Sequence, residues 1–238
     1  NNVVGTESLI KDASKANLIN KVIFSSTCAV YGDVEKKFVN ETQECSPVSH
    51  YGKSKFLSEI LLKNYSKKYN FSVAILRYFN VIGADKSLRS GIINESNQLV
   101  KKLNRNAIKK DYEIDIYGND YNTKDGTCIR DYIHVSDVAE GHLRTLEYLE
   151  KNKSNILKMN IGTGIGTTVL ELIRTFSEIN NVKVDYEFTS RREGDLEEIV
   201  ADNSFAKSLL NWEPKRSLQE MCIDGWKWKN LNPKGFSK

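Results

Sequence analysis

The chain has 238 residues, with 35 Lys+Arg against 31 Asp+Glu for a net charge of +4, and 39% of its residues are hydrophobic. At roughly 100–200 residues per domain, this length makes one large or two small domains and buries a core without staples, which excludes a disulfide mini-protein and a disordered tail. The small net charge, with both signs spread along the chain, gives no reason to expect nucleic acid or an anionic membrane surface as partner. Cys28, Cys45, Cys128 and Cys222 form no C-x-x-C pair that would hold zinc or make a redox dithiol. A reducing, cytoplasmic compartment is the simplest reading. No apolar run approaches the ~18 residues of a membrane span. The opening Asn1-Asn2-Val3-Val4-Gly5 has no initiator Met or basic-then-apolar signal and reads as cut from a longer protein.

Residues 3–19 carry Val4, Leu9, Ile10, Ala13 and Ala16 at helical spacing opposite a Lys-rich face, which predicts a helix. Val22-Ile23-Phe24 then closes on Ser25-Ser26-Thr27, a pattern suited to a buried parallel strand ending in a functional loop. Residues 51–69 read as a long helix with Phe56, Leu57, Ile60, Leu61 and Tyr65 on one face, and 71–79 as a second buried strand. Helix, strand, helix, strand in that rhythm predicts βαβ units and a parallel sheet. Beyond residue 90 the expected elements are helix 95–110, strand 114–117, a polar loop 118–134, helix 135–149, strand 157–161, a glycine loop, helix 169–179, strand 182–188 and a helical tail. The expected architecture is α/β. The C-terminal half of a Rossmann-type doubly wound parallel sheet occupies about 1–90, interleaved with parts of 120–160, and a smaller α/β substrate domain occupies mainly 91–238.

Gly162-Thr163-Gly164-Ile165-Gly166-Thr167 sits where a dinucleotide fingerprint would, but the third glycine that close helix–strand packing needs is replaced by Thr167. A tight turn with Thr167 or Thr168 capping the next helix is the better reading. Tyr51 and Lys55 stand at i and i+4 and share one helix face. With 11 Tyr in the chain and Lys frequent, about one such Tyr-x-x-x-Lys arises by chance, and a solvated helix face is the bland alternative. The hydroxyls of Ser25-Ser26-Thr27 converge on the same place, because open α/β sheets set ligands at the carboxyl edge of parallel strands. A Tyr with pKa near 10 serves as a base at neutral pH only if its phenolate is favoured by ~4 kcal/mol. A cation four residues on supplies part of that, a positively charged nicotinamide more, and a hydroxyl such as Thr27 holds an alcohol within reach.

VIFSSTCAVYGD, SPVSHYGKSK and RYFNVIGA together resemble the extended short-chain dehydrogenase/reductase superfamily. YGNDYNTKDGTCIRDYIHVSDVAEGH, RREGDL and DGWKWKNLNPKGF resemble, within it, the UDP-glucose (UDP-galactose) 4-epimerase family. That resemblance implies NAD as cofactor, a UDP-hexose as substrate and a homodimer. It implies Tyr51 as base and acid, Lys55 lowering its pKa and binding the nicotinamide ribose, and Thr27 as helper hydroxyl touching both cofactor and sugar. It places Asn1, Tyr78 and Phe79 against NAD, and Asn80, Asn97, Asp115, Ile116, Tyr117, Arg130, Arg192 and Asp195 around the UDP-sugar. Arg130 and Arg192 suit charge-assisted contacts to a diphosphate, and Tyr117 suits packing on uracil; surface salt-bridging is the plain alternative for the arginines. Ile199, of intermediate bulk, occupies the position that in the family helps decide whether an N-acetylated sugar fits, and leaves plain and N-acetylated forms both open.

The sequence departs from the family at Thr27, often Ser, and at Val81, often Pro, and matches loosely over 94–98. The glycine-rich NAD fingerprint and its strands find no counterpart in it. Two rival readings follow. A sister dehydratase or decarboxylase is disfavoured because Cys28-Ala29 stand where the dehydratases carry Asp-Glu. Alternatively the chain is a non-catalytic fragment, its 22–24 strand an exposed sheet edge and its grip on NAD weak.

Overall fold

The computed structural model describes residues 2–34, 37–92, 98–109, 114–152 and 156–235. In chain order the elements are α1 (Asn2–Lys15), β1 (Lys21–Thr27), a 3₁₀ turn (Cys28–Val30), β2 (Phe38–Val39), α2 (His50–Tyr69), β3 (Ser72–Tyr78) and β4 (Asn80–Ile82). There follow α3 (Leu99–Lys109), β5 (Ile114–Tyr117), β6 (Ile129–His134), α4 (Val135–Lys151), β7 (Ile156–Ile161) and β8 (Gly166–Thr168). The chain closes with α5 (Val169–Asn180), β9 (Tyr186–Thr189), β10 (Glu198–Ala201), α6 (Ser204–Leu210) and α7 (Leu218–Leu231). These form two compact units, the first of residues 1–79, 139–164 and 201–213 and the second of 80–138, 165–200 and 214–238. The fold is α/β and Rossmann-like, with parallel sheets.

In the first unit β3 lies between β1 and β7, parallel to both, and the β1–β3 register sets Ser26 opposite Arg77 and Thr27 opposite Tyr78. Val73, Ala74, Ile75 and Leu76 of the central strand are fully buried, as a near-continuous apolar run in a parallel sheet requires. β1 departs from the expected buried strand. Val22, Ile23 and Phe24 are only half-buried, and burial is complete only at Ser26 and Thr27. Among the described residues β1 has a strand partner on one side only.

The helices of this unit correct the apolar pattern read from the sequence. α1 buries Ile10 and Ser14 but leaves Val4 and Leu9 exposed. In α2 the inward positions are Gly52, Ser58, Glu59, Leu62 and Ser66, and the expected core residues Leu57 and Ile60 face solvent. For Glu59 the cause is a polar partner set on the strands, described below.

In the second unit β6 lies between β4 and β10, parallel to both, and pairs antiparallel with β8, while β5 and β9 form a separate parallel pair. β6 falls inside the stretch expected to be a polar loop. Its Asp131, Tyr132, Ile133 and His134 are all buried, so tertiary contacts override its polar composition. The strand expected at 182–188 starts its ladder only at Tyr186, because Val182 and Val184 pack into the apolar cluster. That cluster joins Ile82, Ile114, Ile116 and Tyr132 to Leu170, Leu172, Ile173 and Phe176 of α5 and Met221 of α7. Among the described residues no helix is long and apolar enough to cross a membrane.

Candidate functional site

Thr27 ends β1 in extended conformation (φ −149°, ψ 150°), and its Oγ1 accepts the Ala29 N–H at 3.2 Å, which starts the 3₁₀ turn. α2 begins against that turn. Ser49 caps it by accepting the Gly52 N–H at 3.0 Å, and a Cβ at Gly52 would stand 2.4 Å from the Ala29 carbonyl oxygen. Only glycine permits this approach. It places Tyr51 beside Thr27, whose hydroxyl favours the phenolate.

Lys55 follows one helical turn later. Its ammonium donates to the Ser25 carbonyl at 2.9 Å and lies 5.9 Å from the centre of the Tyr51 ring. Burial pushes the Tyr51 phenol above its ordinary pKa; the Thr27 hydroxyl pulls it back and the neighbouring Cys28 thiol adds to the rise. Burial also pushes Lys55 down. Tyr78, on the neighbouring strand, donates to Ser25 Oγ at 2.9 Å and lies 2.6 Å from His142 Nε2. Burial is the chief reason its pKa is pushed up to about 12. Phe79 is buried, and its N–H donates to the Ile161 carbonyl. Thr27, Tyr51, Lys55 and Tyr78 thus gather at the carboxyl end of parallel β1 and β3, where open α/β sheets bind ligands. A phenol held high in pKa beside a cation and a hydroxyl suits a cofactor that brings positive charge, and in that respect these residues fit NAD.

The second unit holds another group. Arg130 donates to the Ile129 and Leu196 carbonyls at 2.8 Å and to Asp195 Oδ1 at 2.9 Å. The Arg192 guanidinium lies 4.1 Å from the centre of the Tyr117 ring, so the aromatic face suggested for uracil carries a cation. Asp115 faces Lys102 at 3.6 Å. Ile116 is in the apolar cluster, which leaves its backbone as the part able to meet a ligand. Asn80 pairs with Tyr132 on β6, and Ile199, buried, pairs with Arg130. Asn1 and Asn97 lie outside the described residues.

Two sequence motifs have structural roles. Thr168 caps α5 in a reciprocal box with Glu171, as the glycine-loop reading anticipates, and its hydroxyl also bonds Asp125. Asp125 further accepts the Thr127 N–H and hydroxyl, so the Asp125-Gly126-Thr127 loop braces that helix start. His142 and a buried cluster of Ser26, Glu59 and Arg77 join the site only in the folded chain. The repeat of four from Tyr51 to Lys55 to Glu59 was the one available signal for the latter.

The family model described as GDP-mannose 4,6 dehydratase matches residues 1–224. The UDP-glucose 4-epimerase of Pasteurella multocida is 40% identical over 245 residues, covering 99% of this chain and 70% of its own length. That of Bacillus subtilis is 40% identical over 239 residues with the same two coverages. Among solved structures, the UDP-glucose 4-epimerase of Stenotrophomonas maltophila with bound NAD and formylated UDP-arabinopyranose superposes with a TM-score of 0.92 at 35% identity, over 97% of this chain and 69% of its own. The Bifidobacterium longum UDP-glucose 4-epimerase in complex with NAD⁺ and UDP gives 0.91 at 33% identity, over 99% and 71%.

Proposed function

The chain belongs to the UDP-glucose 4-epimerase family, and from that premise we propose that it interconverts UDP-glucose and UDP-galactose by NAD-dependent inversion at C4 through a 4-keto sugar. The observation that carries the reading is Tyr51 set beside Thr27 at the strand end, with the Lys55 ammonium 5.9 Å from its ring one turn along the same helix. Bound NAD supplies the hydride acceptor and donor. Thr27 holds the sugar's 4-hydroxyl, and the Tyr51 oxygen takes its proton as C4 is oxidised and returns it when C4 is reduced on the opposite face. Lys55 favours the phenolate and holds the nicotinamide ribose. Asn1, Tyr78 and Phe79 complete the cofactor contacts. The first unit, on this reading, belongs to the NAD-binding domain, and the second binds the UDP-sugar. Asn80, Asn97, Asp115, the Ile116 backbone, Tyr117, Arg130, Arg192 and Asp195 serve the second role, with Ile199 setting the room beside the sugar.

A dehydratase reading has the family model's description in its favour. Against it, Thr27 runs into Cys28 and Ala29, a turn without the acid such chemistry needs. Turnover of UDP-galactose by the protein and by its Tyr51→Phe variant tests the proposal, with a loss of about 10²–10⁴-fold expected. Undiminished turnover in the variant, or a 6-deoxy-4-keto product, would sink it. We further read the protein as a homodimer in the cytoplasm. Val4 and Leu9 of α1 and Leu57 and Ile60 of α2 are exposed apolar side chains that a second copy would cover, and all four cysteines are free thiols. Sedimentation of a Leu57→Glu variant as a monomer, against a dimeric parent, is the expected result.

A further inference from the structure

Helix α2 buries a carboxylate where a core helix would bury a leucine. Glu59 is 0% exposed and Arg77 1%. Glu59 Oε1 accepts from Ser26 Oγ at 2.6 Å and Arg77 Nε at 3.0 Å, and Oε2 accepts from Arg77 Nη2 at 2.7 Å. The guanidinium lies 4.8 Å from the centre of the Tyr31 ring, and the Tyr31 hydroxyl donates to Asn160 Oδ1 at 2.6 Å. Asn160 in turn donates its side-chain amide to the Val39 carbonyl and its N–H to Glu41, both at 2.7 Å. The cluster therefore ties α2, β1, β3, the 3₁₀ turn's exit and β7 together within the first unit.

Stability does not account for such a pair. Removing two ions from water costs several kcal/mol each, and well-packed apolar residues of similar volume are commonly as stable or more so. A bidentate carboxylate–guanidinium pair supplies direction instead, because its bonds weaken when either partner slides or rotates. Each member also neighbours a residue of the site. Ser26 precedes Thr27, Arg77 precedes Tyr78 and sits opposite Ser26 in the β1–β3 register, and Glu59 is one turn beyond Lys55 and two beyond Tyr51.

We propose that Ser26, Glu59 and Arg77 form a positioning cluster that locks α2 against the ends of β1 and β3 and so holds Tyr51 beside Thr27. The proposal rests on the epimerase reading for its kinetic consequence. The three residues are positioning residues; they act through Tyr51 and Thr27.

The test replaces the pair by apolar residues of similar length. Glu59→Met/Arg77→Met should melt at or above the parent's temperature, while kcat for UDP-galactose falls by up to about 100-fold, the scale of an ångström-sized misplacement. KM should stay within about two-fold, since the loss lies in the transition state. A folded double variant with the parent's kcat would overturn the proposal. Ser26→Ala removes one hydrogen bond and leaves the pair, and a kcat drop of about 3-fold or more is expected; an unchanged kcat overturns the proposal even if the double variant fails to fold. A readout independent of turnover is the Tyr51 ionisation, followed as the phenolate absorbance lost on Tyr51→Phe. In both tether variants it should move to higher pH as Thr27 loosens from the phenol, and an unmoved ionisation refutes the tether. If instead Tyr51→Phe keeps full turnover, the epimerase reading falls while the ionisation still judges the cluster.

Discussion

The two units each bring a helix onto parallel strands, and the first adds a buried polar network to its apolar contact. In the second, α5 sends Leu170, Leu172, Ile173 and Phe176 into a cluster with Ile82, Ile114 and Ile116. In the first, α2 turns Ser58, Glu59 and Ser66 inward around Leu62; Glu59 bonds Ser26 and Arg77 on the strands, and Ser58 and Ser66 donate to the Ser54 and Phe71 carbonyls. Apolar packing is non-directional and tolerates repacking of similar volume. A network of charged and hydroxyl hydrogen bonds tolerates little displacement, because each buried group left unpaired costs about 1–3 kcal/mol. The helix that carries Tyr51 and Lys55 is thus held by directional bonds as well as by the packing of Leu62 on Val73 and Ile75.

Mutations can sharpen or break this contrast. The largest effect on stability is expected in the apolar unit. Phe176→Ala should cost about 3–5 kcal/mol, measured as a shift in denaturant midpoint, while kcat per folded molecule holds; a matching fall in kcat would show that the two units are not so distinct. Gly52→Ala should act the other way round. Alanine normally favours a helix by about 1 kcal/mol over glycine, yet here its Cβ meets the Ala29 carbonyl at 2.4 Å. A kcat loss on the order of 100-fold with intact far-UV circular dichroism is expected, and a more active or equally active variant would mean that the helix need not approach the turn so closely.

Two smaller effects belong to the second unit. His134 is fully buried, its Nδ1 accepts the Ser136 N–H, and its Nε2 faces Asp224 at 3.4 Å. Burial pushes its pKa below the ordinary 6.5, Arg216 adds to the fall, and Asp224 and Asp137 oppose it. The folded state therefore holds the imidazole neutral. The stability this contributes is present above the unfolded pKa and is lost as pH falls through the lower folded value. Tm measured from neutral pH downward should drop by a few degrees more in the parent than in His134→Gln, on the order of 2–4 °C per kcal/mol; parallel curves would remove His134 from the acid response. Smallest is Thr168→Ala, which removes the cap on α5 and its bond to Asp125 and should cost about 1 kcal/mol by chemical denaturation with turnover unchanged.

Much of this is readable in the amino-acid sequence. The helix over 51–69 appears as α2 with its first residue one position earlier, the strand at 71–79 as β3, and the Thr168 cap where the glycine loop ends. Tyr51 and Lys55 were legible from their spacing, and Thr27 from its place at a strand end. β6 was not, because Arg130, Asp131 and His134 give it a loop's composition while burial on both sides makes it a strand. Nor was the inward face of α2. Hydrophobicity points to Leu57 and Ile60, and both face solvent.

Local order is what the sequence by itself determined: which stretches coil or extend, where a helix is capped, and that a tyrosine, a lysine and a threonine stand ready at one sheet edge. Periodicity, caps and i, i+4 spacing act over a few residues, and so can be read there. Which side of α2 turns inward was decided only by the tertiary structure. A buried carboxylate is tolerable only where its partners arrive, and Glu59 meets Arg77 from 18 residues away and Ser26 from 33. No local pattern announces that meeting, and it is the contact that sets where Tyr51 stands.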